Sequence, residues 1–154
     1  MPQLVKGGKY IFGWSKVNNN RVIRIPDEAY LEYDFIKDDK GIIMSGSNTS
    51  GGFGLTSKRL LKNTVLGKSL YNYPELIDFQ IPEGQIIKIK NKKFCWIKIK
   101  ENKSIQLPEL TLKDFEINSN EKLLVGRGSG LALAFIAKGL IYEEAKKHHE
   151  ILTF

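Results

Sequence analysis

Two distant stretches of this chain carry nearly the same residues in the same order. Residues 12–17 read FGWSKV and run into RIP at 24–26, whereas residues 94–99 read FCWIKI and run into QLP at 106–108. Matching positions are 82 residues apart in both stretches, and the two tryptophans of the chain are equivalent. A unit of this size cannot bury its apolar face alone, so we expect the two copies to pair around one core.

Each copy has the pattern of two strands, a short helix and two more strands. Further along, we align Phe35 with Phe115 at an offset of 80, and residues 50–51 with 129–130 at an offset of 79. The predicted strands are 10–17, 21–25, 41–44 and 53–56 in the first copy and 93–100, 104–107, 123–125 and 131–135 in the second. Each short helix follows an aliphatic-proline step, because proline suits the first turn of a helix.

The pattern predicts one domain over residues 1–154, mainly β with short helices. Its parts are repeat one at about 9–60, a linker at about 61–90, repeat two at about 91–138 and a C-terminal helix at about 140–152. A further strand is predicted at 86–90 within the linker. The C-terminal helix is amphipathic, with Ile141, Ala145, His148 and Leu152 on one face.

Residues 17–28 read VNNNRVIRIPDE, a hairpin that ends in the aliphatic-proline step, and residues 99–109 read IKENKSIQLPE. The pattern resembles the AbrB/SpoVT swapped-hairpin family, in which two such units, usually from two chains, interlock into a barrel that binds DNA. Because one chain holds both units here, the resemblance implies a fused pseudo-two-fold β-barrel. It also implies DNA binding of the transcription-regulator type.

Some features of the family are missing. In its DNA-binding members an arginine follows the turn glycine, and the matching positions here are Val22 and Ser104. A related two-repeat branch has an Asp-x-x-x-Arg signature in each copy, which neither copy shows. The resemblance therefore implies the fold, and other basic residues would have to contact the DNA.

Composition indicates a folded, basic protein. Hydrophobic residues make up 42% of the chain, charged residues make up 27%, and the net charge is +7. A positive charge favours polyanionic partners such as double-stranded DNA. Neither a membrane-spanning apolar run nor a signal-peptide pattern is present in the sequence, so we expect a cytoplasmic protein without a membrane partner. We expect no cofactor, and both a monomer and a homodimer remain open.

Basic side chains occupy outward positions on the predicted strands and turns. Contacts from such side chains to phosphate position a duplex without reading its bases. The predicted DNA-binding residues are Lys16, Arg21, Arg24, Lys98, Lys100, Lys103 and Arg127. Phe12, Trp14, Phe94 and Trp96 are predicted to share strand faces with lysines such as Lys16 and Lys98. Exposed rings would stack on single-stranded bases, whereas buried rings would pack against the helices or the linker, and both interpretations stay open.

Two loops rich in glycine and serine suggest an alternative function, a non-catalytic binding module for a small anionic or nucleotide ligand. Successive backbone N–H groups in such loops can bind an anion. Neither loop is a P-loop, because the Lys-Ser/Thr ending and the long helix are missing. Tight turns need the same residue types, so a structural role is the other interpretation. The candidate ligand-binding residues are Ser47, Thr49, Ser50, Gly51, Gly52, Arg127, Gly128 and Ser129.

The remaining reactive residue types predict no catalysis. His148 and His149 are adjacent, so on a helix they point about 100° apart and do not share a metal. Cys95 lies in an apolar strand and is interpreted as a small core residue. No nucleophile stands in a motif with a base, so the sequence predicts neither an enzyme nor a metal site.

Overall fold

The computed structural model describes residues 8–128 and 131–154. Within them the protein is mainly β, as predicted, with nine strands, six short α-helices and a 3₁₀ turn at Phe35–Lys37. The strands are β1 (Ile11–Lys16), β2 (Val22–Arg24), β3 (Lys40–Ser45), β4 (Phe53–Thr56), β5 (Ile87–Ile89), β6 (Lys92–Lys98), β7 (Ser104–Gln106), β8 (Lys122–Arg127) and β9 (Leu133–Ile136). The α-helices are α1 (Asp27–Glu32), α2 (Lys58–Leu61), α3 (Val65–Leu70), α4 (Pro74–Ile77), α5 (Glu109–Asp114) and α6 (Leu140–Ala145).

Seven strands form one antiparallel sheet in the order β1-β8-β9-β4-β3-β6-β5, and β2 pairs with β7 in a separate ribbon. Strands of the two halves of the chain are neighbours at three places in this sheet, where β1 pairs with β8, β9 pairs with β4 and β3 pairs with β6. Trp14 lies opposite Leu124 and Trp96 lies opposite Ile42, so these two pairings have the same register at an offset of 82 residues. Within the described residues, the terminal strands β1 and β5 do not pair with each other.

At the ribbon formed by β2 and β7, each hairpin donates a backbone hydrogen bond to the turn of the other hairpin. The backbone N–H of Ile25 donates to the carbonyl of Lys103 at 2.8 Å, and the N–H of Leu107 donates to the carbonyl of Arg21 at 3.1 Å. Arg21 and Lys103 have nearly the same left-handed backbone, with φ values of 63° and 62°. The two turns are therefore matched both in conformation and in their hydrogen bonds to the other hairpin.

The offset of 82 also holds at the ends of the two short helices. Tyr33 is the C-cap residue directly after α1, and Phe115 is the C-cap residue directly after α5. The next residues, Asp34 and Glu116, both turn the chain in the left-handed region, at φ 56° and 57°. The sequence alignment of Phe35 with Phe115 is therefore wrong by two residues. The sequence alignment paired two phenylalanines because they are the same residue type. The backbone conformation instead makes Tyr33 the equivalent of Phe115.

The largest core lies on one face of the sheet, beneath the ribbon and helices α1 and α5. Ile23 and Ile105, which lie opposite each other in the ribbon, are both fully buried in it. Two smaller cores cover the opposite face of the sheet, one over each tryptophan. The sheet is thus covered on both faces, and most of its strand residues are buried.

The aromatic residues of β1 and β6 belong to these cores. Trp14 is 6% exposed and packs edge-on against Tyr142, with ring centroids 5.2 Å apart. Trp96 is 8% exposed, and its Nε1–H donates to the carbonyl of Ile81 at 2.6 Å. Phe12 and Phe94 are buried as well. The interpretation of these rings as core is confirmed, and the interpretation as an exposed platform for single-stranded bases is wrong.

The stretch predicted as a linker at 61–90 is ordered structure that packs over Trp96. It holds α3, α4 and the predicted extra strand, which is β5. Thr64 begins α3 by accepting a hydrogen bond from the N–H of Gly67 at 2.9 Å. Buried leucines on these helices supply the apolar contact that such short helices need in order to be stable.

The C-terminal helix is shorter than predicted, because α6 ends at Ala145. Residues 152–154 instead run along the free edge of β1. The N–H of Trp14 donates to the carbonyl of Leu152 at 2.8 Å, and the N–H of Phe154 donates to the carbonyl of Trp14 at 2.7 Å. Leu152 is exposed, so its predicted place on a buried helical face is wrong. An edge strand has backbone N–H and C=O groups without strand partners. Residues 152–154 bond to these groups of β1, which they could not do as part of a longer helix.

Candidate functional site

Three of the predicted DNA-binding residues meet in one groove of about 420 Å³ beside the ribbon. Arg21, Lys98 and Lys100, which we call the first basic group, line it together with Glu83 and Gln106. The Nε–H of Arg21 donates to the carbonyl of Leu107 at 3.1 Å, and Nζ of Lys100 donates to Oε1 of Gln106 at 3.2 Å. The hairpin turns fix this arrangement, since Arg21 follows directly on the turn that starts at residue 18.

We call three more predicted residues the second basic group: Arg24 and Lys103, which share Asp27, and Lys16 on the neighbouring strand β1. Lys16 and Lys103 correspond to Lys98 and Arg21 of the first group at the offset of 82. Lys103 and Arg24 both approach Oδ1 of Asp27, at 3.3 and 3.8 Å. These ion pairs are exposed. Because an exposed ion pair contributes little free energy, its basic side chain can readily exchange the carboxylate for another anion.

The seventh predicted residue, Arg127, lies elsewhere. Its guanidinium makes two hydrogen bonds to the carboxylate of Glu32, at 2.7 and 2.6 Å, and lies 4.7 Å from the ring centroid of Tyr10. The bond to Glu32 raises the pKa of Arg127. Arg127 is the last residue of β8, and Lys122, which pairs with Lys16, is the first. Arg127 is therefore five residues, or about 17 Å of strand, away from the position of Lys16. The structure brings Arg21, Lys98 and Lys100 together in one groove and joins Arg24 and Lys103 at Asp27, whereas Arg127 pairs with Glu32 elsewhere.

The first Gly/Ser loop, residues 46–52, uses many of its polar groups internally. The N–H of Gly46 donates to the carbonyl of Gly52 at 3.1 Å, and the N–H of Gly51 donates to the carbonyl of Ser47 at 2.9 Å. The hydroxyl of Ser47 lies 3.0 Å from that of Thr49 and donates to that of Ser50 at 3.1 Å. These N–H groups are therefore not available for an anion nest, and the loop stabilises its own shape.

The two Gly/Ser loops nevertheless meet. Ser47, Ser50 and Gly51 of the first and Gly128 of the second line one cavity of about 240 Å³, which we call the loop cavity. Thr49 does not line it, and Gly52 lines a wider neighbouring cavity of about 670 Å³, which we call the outer cavity. Arg127 points to Glu32 instead. Ser129, another of the candidate ligand-binding residues, lies outside the described residues.

Lysines outside the predicted DNA-binding and ligand-binding residues line these cavities. Lys9 and Lys92 line the loop cavity, and Lys90 and Lys138 line the outer cavity. A hairpin turn at Lys90 and Asn91, with φ values of 49° and 69°, brings the lysines of β5 and β6 to the loop. The run of basic residues at 90–93 was the available signal, but the predicted boundary between the linker and repeat two divides it at residue 91.

The reactive residues take structural positions. Burial raises the pKa of the Cys95 thiol to about 12, which makes it a poor nucleophile. A hydrogen bond to Glu150, with a second interaction from Glu144, raises the pKa of His148. Within residues 8–128 and 131–154, no group of three His, Cys, Asp or Glu side chains has the geometry to hold a metal ion. No helix in that same part of the chain is long and apolar enough to cross a membrane.

Comparison of the chain with known protein families, with curated proteins and with solved structures finds no match. The site therefore has to be interpreted from its own geometry and charge.

Proposed function

We propose that this protein binds double-stranded DNA through the first and second basic groups. In this proposal its fold is a pseudo-two-fold barrel of interlocked hairpins like that of the AbrB/SpoVT family, and its role is that of a transcription regulator. The contacts would go mainly to phosphate.

Matched pairings support the pseudo-two-fold part of the proposal. β1 with β8 and β6 with β3 share one register at the offset of 82. In the ribbon Ile23 lies opposite Ile105, its own equivalent at that offset. A residue that pairs with its own equivalent lies on a local two-fold axis. The axis would therefore pass through the ribbon, with one hairpin on either side.

The observation that carries the DNA-binding proposal is the basic groove beside the ribbon, two of whose residues have basic equivalents at the offset of 82. The first group holds Arg21, Lys98 and Lys100, and the second holds Lys16, Arg24 and Lys103. Two members of each group are equivalent at the same offset. A duplex has two-fold symmetry in its backbone, so cations placed about a two-fold axis can contact both strands alike. The burial of the aromatic rings favours a duplex over a single strand, which needs exposed rings for stacking.

Salt dependence tests the proposal. Phosphate contacts release counterions, so the logarithm of the association constant should fall linearly with the logarithm of salt concentration, by about 0.9 for each contact. We expect K16Q/K98Q, which removes one exposed lysine from each group, to reduce that slope by about 2. Fluorescence anisotropy with a labelled duplex at several salt concentrations measures it.

The variant K62Q/K68Q is the matched control. It removes the same two charges from exposed positions in the segment that covers Trp96. We expect the control to keep the wild-type slope within experimental error. An equal loss of affinity and slope in both variants would show that only net charge matters, and would refute binding through the two basic groups.

A further inference from the structure

We infer that the loop cavity is a binding site for a small phosphate-bearing anion, either inorganic phosphate or the phosphate group of a monoester. This site is independent of the proposed DNA-binding surface. Lys98 and Lys92 stand at opposite ends of β6, six residues or about 20 Å of strand apart. Binding at one end therefore does not require the other.

The charge of the loop cavity is the first argument. Lys9 and Lys92 line it, and no carboxylate belongs to the described residues of its wall. Neither ammonium group forms an ion pair with any residue in the described part of the chain. The wall therefore carries two positive charges with no carboxylate to balance them, and this favours an anion as the ligand.

The hydrogen-bonding groups of the wall give the second argument. The Ser50 hydroxyl accepts a hydrogen bond from the Ser47 hydroxyl, which leaves the hydrogen of Ser50 free to donate. Both serines line the cavity. Ammonium and hydroxyl donors around a small cavity suit a tetrahedral oxyanion, which accepts several hydrogen bonds at once.

The size of the cavity limits the ligand. Drug-sized ligands occupy pockets of about 300–1,000 Å³, whereas the loop cavity measures about 240 Å³. Phe53 and Phe135 on the sheet side take part in the wall, and the remaining volume is too small for a base together with its sugar and phosphate. The phosphate group itself is the part that fits, with any organic remainder in the outer cavity, which Lys90, Lys138, Asp114 and Glu116 line.

Titration with phosphate at constant ionic strength tests the inference. We expect saturable shifts of the amide signals of Ser50, Gly51 and Gly128 in NMR spectra of the full chain. We expect K9Q/K92Q to weaken binding at least tenfold and K62Q/K68Q, with the same loss of charge, to leave it within twofold. Because both lysines are exposed, the loss should occur at an unchanged melting temperature. If the double variant melts lower, the single variants K9Q and K92Q replace it.

A second titration with glycerol phosphate identifies the source of the anion. Comparable affinity for the two compounds supports recognition of a monoester, and binding of inorganic phosphate alone supports a site for the free ion. The inference is overturned if neither compound saturates, if the control variant loses as much affinity as K9Q/K92Q, or if the shifts occur at Arg21 and Lys98 instead. DNA binding by the wild type and by K9Q/K92Q should be equal, which separates this test from that of the proposed function.

Discussion

Replacement of the two tryptophans by phenylalanine tests how each tryptophan is held. Both side chains are nearly buried, at 6% exposed for Trp14 and 8% for Trp96. The indole N–H of Trp96 donates to the carbonyl of Ile81, whereas that of Trp14 has no hydrogen-bond partner among the described residues. A net hydrogen bond contributes about 1 kcal/mol, and a buried carbonyl left without a partner costs about 1–3 kcal/mol.

We therefore expect W96F to destabilise the protein by about 1 kcal/mol more than W14F. Truncation of either residue to alanine should cost about 3–5 kcal/mol, because it removes a large buried side chain and leaves a cavity. Urea denaturation followed by far-UV circular dichroism gives the free energies without a need for tryptophan fluorescence. Leu140, which is 91% exposed, supplies a control, since L140A should change stability by less than about 0.5 kcal/mol.

Two results would refute this reasoning. A cost below about 1 kcal/mol for either alanine variant would mean that the ring is not part of a packed core. Equal costs for W96F and W14F would mean that the hydrogen bond from Trp96 to Ile81 contributes nothing to stability.

Two further predictions concern the loop and the C-terminal segment. Gly51 and Gly52 share φ values near 60°, but an added Cβ at Gly52 would lie 1.9 Å from the carbonyl oxygen of Phe135, against 3.4 Å for the nearest atom at Gly51. Urea denaturation should therefore show G52A to be the more destabilising by at least about 1 kcal/mol, and equal costs would contradict that contact. The pKa of His148 is raised by its bond to Glu150, so protonation stabilises the folded segment fully below the unfolded value of about 6.5 and the effect is lost as pH rises through the folded value. An NMR pH titration should show the His148 pKa falling in E150Q, and an unchanged value would contradict the contribution of this bond.

The strands and the two proline-led helices could be predicted because their signals are local. Alternation of apolar residues indicated the strands, and Pro26 and Pro108 marked the helix starts. Local signals also explain the errors. Helices α2, α3 and α4 have four to six residues each, too short to be stable alone, and they form only because they pack over Trp96. The chain after α6 bonds to β1 through residues 152–154, and the local sequence of the helix carries no signal for these distant hydrogen bonds.

The candidate sites show the same limit. Arg127 was predicted as a DNA contact from its charge alone, but Glu32, 95 residues away in sequence, binds it. The lysines of the loop cavity could not be grouped from the sequence, because Lys9 and Lys92 come from distant stretches that only the sheet brings together. The repeat offset did relate two members of each basic group, Lys16 to Lys98 and Arg21 to Lys103, because it connects residues across the whole chain.

In the proposed function, the first and second basic groups bind one duplex together. An NMR titration of the isotopically labelled protein with a short DNA duplex tests it most directly. We predict that the amide signals of Lys16, Arg24 and Lys103 shift in parallel with those of Arg21, Lys98 and Lys100, and that the shifts saturate at one duplex per chain. Shifts confined to one group, or shifts centred on Lys9 and Lys92, would contradict the claim.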